Sequence, residues 1–328
     1  MRVGRDEEPS FAGIPTFGKL PLVLEASELS GVDVAILGAP SDELVSYRPG
    51  ARFGPRAIRA ADPIGWAPPS MPNLDAGIDP FDALTVVDHG DVSAVPGYPL
   101  TTHERIRDAV AAVCAAGAVP IVLGGDHAIA HPDVGAVAAH VAPSPLGLIH
   151  FDAHADDAYE EPRLSHGTPL RLLVEEGSIR GEHIVQVGLR GYWPPPSDLD
   201  WARGQGFRWH LMDEIHERGM APVMDEVLAA QAGLGHVFLS VDIDVCDPAH
   251  APGTGTPEPG GLTARELLRA VRRIATELPL AGMEVVEVSP PYDHADITAL
   301  LAHRVVLEAL SGIALRKHGR TPSPQRSA

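Results

Sequence analysis

Six short apolar runs, at residues 34–38, 120–124, 146–151, 183–187, 236–241 and 283–288, break off in polar or glycine-rich turns, with helical patterns lying between them. That alternation constrains the fold more than any other feature, because strands separated by helices pair in parallel rather than as hairpins. The helical candidates cover residues 101–116, 169–176, 263–277 and 296–317. Thr263 and Glu266 have the spacing of a capping box, ahead of an apolar stripe at Leu267, Leu268, Val271 and Ile274. The expectation is an α/β chain with a mostly parallel central sheet and helices on both faces. With 328 residues, 45% hydrophobic and 21% charged, the chain has room for one large domain or two ordinary ones. Proline and glycine gather in loops, most clearly at residues 67–82 and 192–198, and the segment 321–328 reads as a disordered tail.

Charge narrows the range of partners. Against 44 acidic residues stand 25 Lys and Arg, a formal net charge of -19 that repels phosphate backbones and anionic membrane surfaces and would draw in a small cation. Nucleic acid and membrane are therefore not expected as partners. The first residues lack the apolar centre of a signal peptide, and Cys114 and Cys246 are too few for a disulfide scaffold or a thiolate zinc site. A cytoplasmic protein is expected.

Three of the apolar runs lead straight into groups that can bind metal. In HFDAHADD, residues 150–157, alternate positions share a strand face, so Asp152, His154 and Asp156 can converge as the strand ends. HVFLSVDIDVCDP, residues 236–248, repeats the pattern with Asp242 and Asp244, whereas Asp247, just before Pro248, more readily shapes a turn. PIVLGGDHAIAHP, residues 120–132, adds His127 behind a glycine pair that permits close backbone approach. Ligands in open α/β sheets collect at the carboxyl ends of strands. Four carboxylates and two imidazoles exceed the needs of tetrahedral zinc and suit a pair of divalent ions bridged by carboxylates.

GGDH at 124–127, DAHAD at 152–156 and SVDIDVCDP at 240–248 resemble the metal-binding motifs of the ureohydrolase family, which includes arginase and agmatinase. The likeness continues through residues 46–59, 251–262 and 285–298, and SHGTP at 165–169 with PPYDHADIT at 290–298 is similar to the agmatinase-like branch. The resemblance implies a single three-layer α/β/α catalytic domain over residues 1–320, assembled as trimers or hexamers. It also implies two Mn(2+) per chain, one held by His127, Asp152, Asp156 and Asp242, the other by His154, Asp152, Asp242 and Asp244. By the same resemblance Glu287 grips the guanidinium of a linear guanidino compound, and His166 transfers a proton to the leaving amine. The resemblance further implies that Asp156 is both ligand and hydrogen-bond partner of the attacking hydroxide, with urea and an amine as the expected products.

The substrate's far end is expected to meet residues 158–166. There Glu160 and Glu161 suit the ammonium of agmatine, while Arg163 suits the carboxylate of an ω-guanidino acid such as 4-guanidinobutyrate. Residues 192–198 are the next place to look for a selector. Two other readings stand beside this one. A deacetylase-type amide hydrolase would use a single zinc, and a noncatalytic relative would serve as a binding or regulatory subunit.

Overall fold

The computed structural model describes residues 11–62, 72–159 and 163–321. All but the first residue of the tail expected at 321–328, and part of the loop at 67–82, lie outside the described residues. Among those described, the strands are β1 (Val34–Ala39), β2 (Val86–Asp91), β3 (Val119–Gly124), β4 (Leu146–Phe151), β5 (Ile184–Leu189), β6 (Arg208–Leu211), β7 (His236–Asp242) and β8 (Leu280–Val286). They form one sheet in the order β2-β1-β3-β8-β7-β4-β5-β6, and every pairing is parallel. The last strand in sequence thus lies between the third and the seventh.

The helices are α1 (Gly54–Ala60), α2 (Pro80–Ala83), α3 (Pro99–Ala115), α4 (Ala130–Val141), α5 (Pro169–Glu175), α6 (Pro196–Gln205), α7 (Met212–Arg218), α8 (Met220–Gln231), α9 (Ala264–Glu277) and α10 (Ile297–Lys317). Strand periodicity sorts them into two layers. Ile121, Leu123, Ile149 and Val285 join one core with α7, α8, α9 and α10, while their neighbours Val122, Leu148 and Val286 join another with α3, α4, α5 and α6. This is the three-layer α/β/α arrangement, with the sheet buried on both sides.

The capping box at Thr263 and Glu266 is present, with each residue bonded to the other's backbone. Helix α10 is long and apolar enough to cross a membrane by length and composition alone, but most of it is buried, packed against α9 and the sheet. Both cysteines are buried free thiols.

Candidate metal centre

The site is built where β3, β4, β7 and β8 run out. After β3 the chain turns through Gly124 and Gly125, and a Cβ on Gly125 would lie 2.0 Å from the Ser41 carbonyl oxygen, so only glycine fits. Asp126 then caps the turn that carries His127, its carboxylate accepting from the Ala128 N–H at 3.1 Å and the Leu44 N–H at 3.2 Å. Beyond β4, Asp156 adopts a left-handed backbone (φ 51°), as does Glu287 beyond β8 (φ 60°). Such positive φ values are uncommon outside glycine and cluster at functional positions. Asp242 at the end of β7 caps its own turn by accepting the Asp244 N–H at 2.8 Å.

These strand ends bring the expected donors together. His127 Nδ1 lies 3.0 Å from Asp152 Oδ2, 2.8 Å from Asp156 Oδ2 and 3.3 Å from Asp242 Oδ2. On the neighbouring side, His154 Nδ1 lies 3.4 Å from Asp152 Oδ1 and 3.2 Å from Asp244 Oδ2. Asp152 therefore turns one oxygen to each imidazole.

Several features show that this donor set fits a divalent cation. His127 Nδ1 and Asp152 Oδ2 are buried, yet neither makes an aligned hydrogen bond despite those distances, so the atoms converge on a common point rather than on each other's protons. His127 Nε2 faces the Ser240 hydroxyl at 2.8 Å, and a proton there leaves Nδ1 with a lone pair directed at the carboxylates. Burial, and then the charges of Asp244 and Asp152, hold the Asp242 carboxyl well above its ordinary range. Like charges crowded this way call for a cation to compensate them. The oxygen-rich set with two imidazoles suits a hard or borderline ion.

Glu287 and His166 stand beside the cluster. Glu287 Oε1 accepts from the His127 N–H at 2.9 Å and meets His166 Nδ1 at 3.0 Å, whereas the buried Oε2 has no hydrogen-bond partner. Gly255 adjoins that oxygen: a Cβ there would come within 3.2 Å of Glu287 Oε2. His166 Nε2 lies 3.0 Å from the Ser46 nitrogen and 2.7 Å from the Ser46 hydroxyl, so the neutral ring carries its proton on Nδ1, against Glu287, and the second proton of the imidazolium, on Nε2, faces that hydroxyl. Burial works against a charged His166, but the bond to Glu287 and its charge outweigh burial and hold the imidazole up at about 9.

Other expected residues are placed elsewhere. Arg163 reaches Glu175 on α5 and lies over the Tyr159 ring, 5.7 Å from its centroid. Its availability to a substrate carboxylate thus depends on giving up Glu175. Glu160 and Glu161 lie outside the described residues. Asp247 shapes a turn, accepting the Ala249 N–H at 2.9 Å and the Gly260 N–H at 2.7 Å. From residues 192–198, Trp193 stands edge-on to His154 at 6.0 Å between ring centroids. Sequence reasoning missed His150 and Ser46. His150 was visible in the alternate spacing that runs into Asp152, while no local pattern marks Ser46, which lies 120 positions from His166.

The sequence profile described as "Arginase family" matches residues 32–312. The chain belongs to the arginase family. Within it, the chain is 40% identical over 311 residues to the proclavaminate amidinohydrolase of Streptomyces clavuligerus, covering 94% of this chain and 96% of that one. The solved structure of that amidinohydrolase matches with a TM-score of 0.85 at 39% identity, over 94% of this chain and all of the other. A Pseudomonas aeruginosa guanidinobutyrase is 40% identical, covering 94% of this chain and 95% of its own length. The mitochondrial agmatinase of Gallus gallus is 41% identical, covering 91% and 85% respectively. The arginase-family fold thus agrees with the parallel three-layer architecture expected from the sequence.

Proposed function

We propose that this arginase-family protein is a metal-dependent amidinohydrolase that hydrolyses a small linear guanidino compound to urea and an amine. The observation that carries the reading is Asp152, shared between two imidazole-carboxylate groups beside a buried carboxylate, Glu287, with an unpartnered oxygen. The relatives' names, guanidinobutyrase and agmatinase among them, point the same way. In this reading His127, Asp152, Asp156 and Asp242 would hold one Mn(2+), and His154, Asp152, Asp242 and Asp244 the other. A single-zinc deacetylase would leave half of these donors without a purpose. The reading also includes one catalytic domain over residues 1–320, a homotrimer or homohexamer, and a cytoplasmic location.

A guanidinium carbon is a poor electrophile because its charge is delocalised. When bound, a pair of dications would lower the pKa of water towards neutrality and make it a nucleophile at ordinary pH. Glu287 offers Oε2 to the guanidinium and aligns it with the cluster, and Gly255 leaves the approach open. Asp156 accepts a hydrogen bond from the attacking water. Below about 9 His166 is the imidazolium, with an Nδ1 proton facing Glu287 and hence the bound guanidinium; it delivers one proton to the departing amine and is left as the neutral ring.

Urea release from agmatine, 4-guanidinobutyrate, 3-guanidinopropionate and arginine tests the reading. Agmatine or 4-guanidinobutyrate should be the best substrate and arginine a poor one. No urea from any of the four after manganese loading would overturn it.

Replacing His166 by Ala should lower turnover roughly 10²-fold or more while leaving metal content unchanged. With the ring held at about 9, the second proton that makes it an acid is present below that pH and is lost above it. Wild-type turnover should therefore fall on the alkaline side with an inflection attributable to His166, and that limb should vanish in His166→Ala. The ion pair follows the same sign. Its contribution to stability is complete below the ring's ordinary value of 6.5 and disappears as pH rises through about 9.

A further inference from the structure

His150 lies on β4, wholly buried, and its register partner on the adjacent strand β5 is Gln186. The Gln186 amide nitrogen lies 2.7 Å from the Ala155 carbonyl oxygen, which fixes the amide's orientation, since the reversed amide would set two oxygens against each other. That same nitrogen lies 3.2 Å from His150 Nδ1 and donates to it. Nδ1 is therefore an acceptor, and the neutral ring's single proton is on Nε2. Nε2 stands 3.1 Å from Asp152 Oδ2, too far off line for a formed hydrogen bond, and both atoms are buried with no hydrogen-bond partner.

The tautomer decides what His150 can do. Although the ring stands among His127, Asp152 and Asp156, a group able to surround a cation, its one lone pair is taken by Gln186. What the ring can offer the cluster is an N–H beside Asp152 Oδ2 and not a ligand lone pair. Its target is one particular oxygen. Oδ2 of Asp152 is the atom turned to His127, whereas Oδ1 is turned to His154 and accepts that residue's N–H at 2.6 Å.

We propose that His150, held as the Nε2–H tautomer by Gln186, is a positioning residue for the Asp152 oxygen on the His127 side, so that its loss weakens one cation position selectively. The inference rests on the proposed sharing of Asp152 between two cations. Partners behind a metal's own ligands typically change its affinity 10- to 100-fold.

The test uses metal-free full-length protein titrated with Mn(2+), followed by calorimetry and by the electron paramagnetic resonance of coupled and isolated ions. Wild type should bind two ions. His150→Phe should keep one at near wild-type affinity and bind the other roughly 10- to 100-fold more weakly. His150→Gln, whose amide can donate towards the same oxygen, should recover most of the loss. In a His154→Asn background, which leaves the His127 side, adding His150→Phe should weaken the remaining ion. Equal weakening of both ions, no weakening, or failure of Gln to restore affinity in a natively folded variant would each overturn the inference. Should His150→Phe fail to fold, Gln186→Leu frees the tautomer and should weaken the same ion, and unchanged affinities there would be equally decisive against it. A wild type that binds fewer than two ions would remove the two-metal reading and this inference with it. Two ions in the wild type with no selective loss would remove the inference alone.

Discussion

Asp152→Ala should bind neither cation, because it deletes the one carboxylate that turns an oxygen to each imidazole. His127, Asp156 and Asp242 remain on one side, and His154, Asp242 and Asp244 on the other, but each set loses one of its two shared carboxylates. A two-metal site contributes several kcal/mol of transition-state stabilisation, so urea release should fall by about 10³-fold or more. Elemental analysis after manganese loading and gel filtration checks the first part, and urea kinetics the second. Retention of two ions would show that Asp152 does not bridge them.

Glu287→Gln tests the other half of the chemistry. Gln keeps the size of the side chain and its oxygen contact with the His127 N–H, while removing the charge that Oε2 would present to a guanidinium. Truncating one partner of a buried charge pair costs about 2–5 kcal/mol, so kcat/KM should drop from about 30-fold to several thousandfold. Metal content should be unchanged, since Glu287 makes no contact with the clustered carboxylates. The His166 pKa should fall towards its ordinary value, because the residue that raises it has been neutralised. An unchanged kcat/KM would place the guanidinium elsewhere.

What the sequence made legible follows from burial. The six apolar runs correspond to the six inner strands, which are covered by helices on both faces and so contain little but apolar residues. The edge strands β2 and β6 escaped because exposed or half-exposed positions admit His89 and Asp91 in one and Arg208 and His210 in the other, and because the buried Asp88 is paired with Arg59. Strand β8 begins and ends earlier than the run at 283–288 suggests, since Glu287 turns into a left-handed backbone that no pattern of hydrophobicity encodes. Helix α4 was hidden by Pro132 and Gly135, although proline in a first turn replaces an amide that has no helical partner.

At the site, the six expected donors declared themselves because each ends an apolar strand or follows one closely. His150 belonged to the same alternating series but lies inside its strand, where histidine is more often read as packing. The contacts of Ser46 with His166 and of Arg163 with Glu175 are made by loops folding back over the sheet. Spacing along the chain contains no record of them.

The order of strands also sets when the centre can exist. His127 follows β3, on the side of the sheet formed by β2, β1 and β3, while the aspartates and His154 follow β4 and β7 on the other side. The two halves are joined through β8, the last of the described strands in chain order, which pairs with β3 on one edge and β7 on the other. A growing chain therefore has every donor in hand before it has the seam that aligns them, and such distant contacts form late in folding. The proposed metal loading would then belong to the folded protein, once residues 280–286 join the two halves and align their donors.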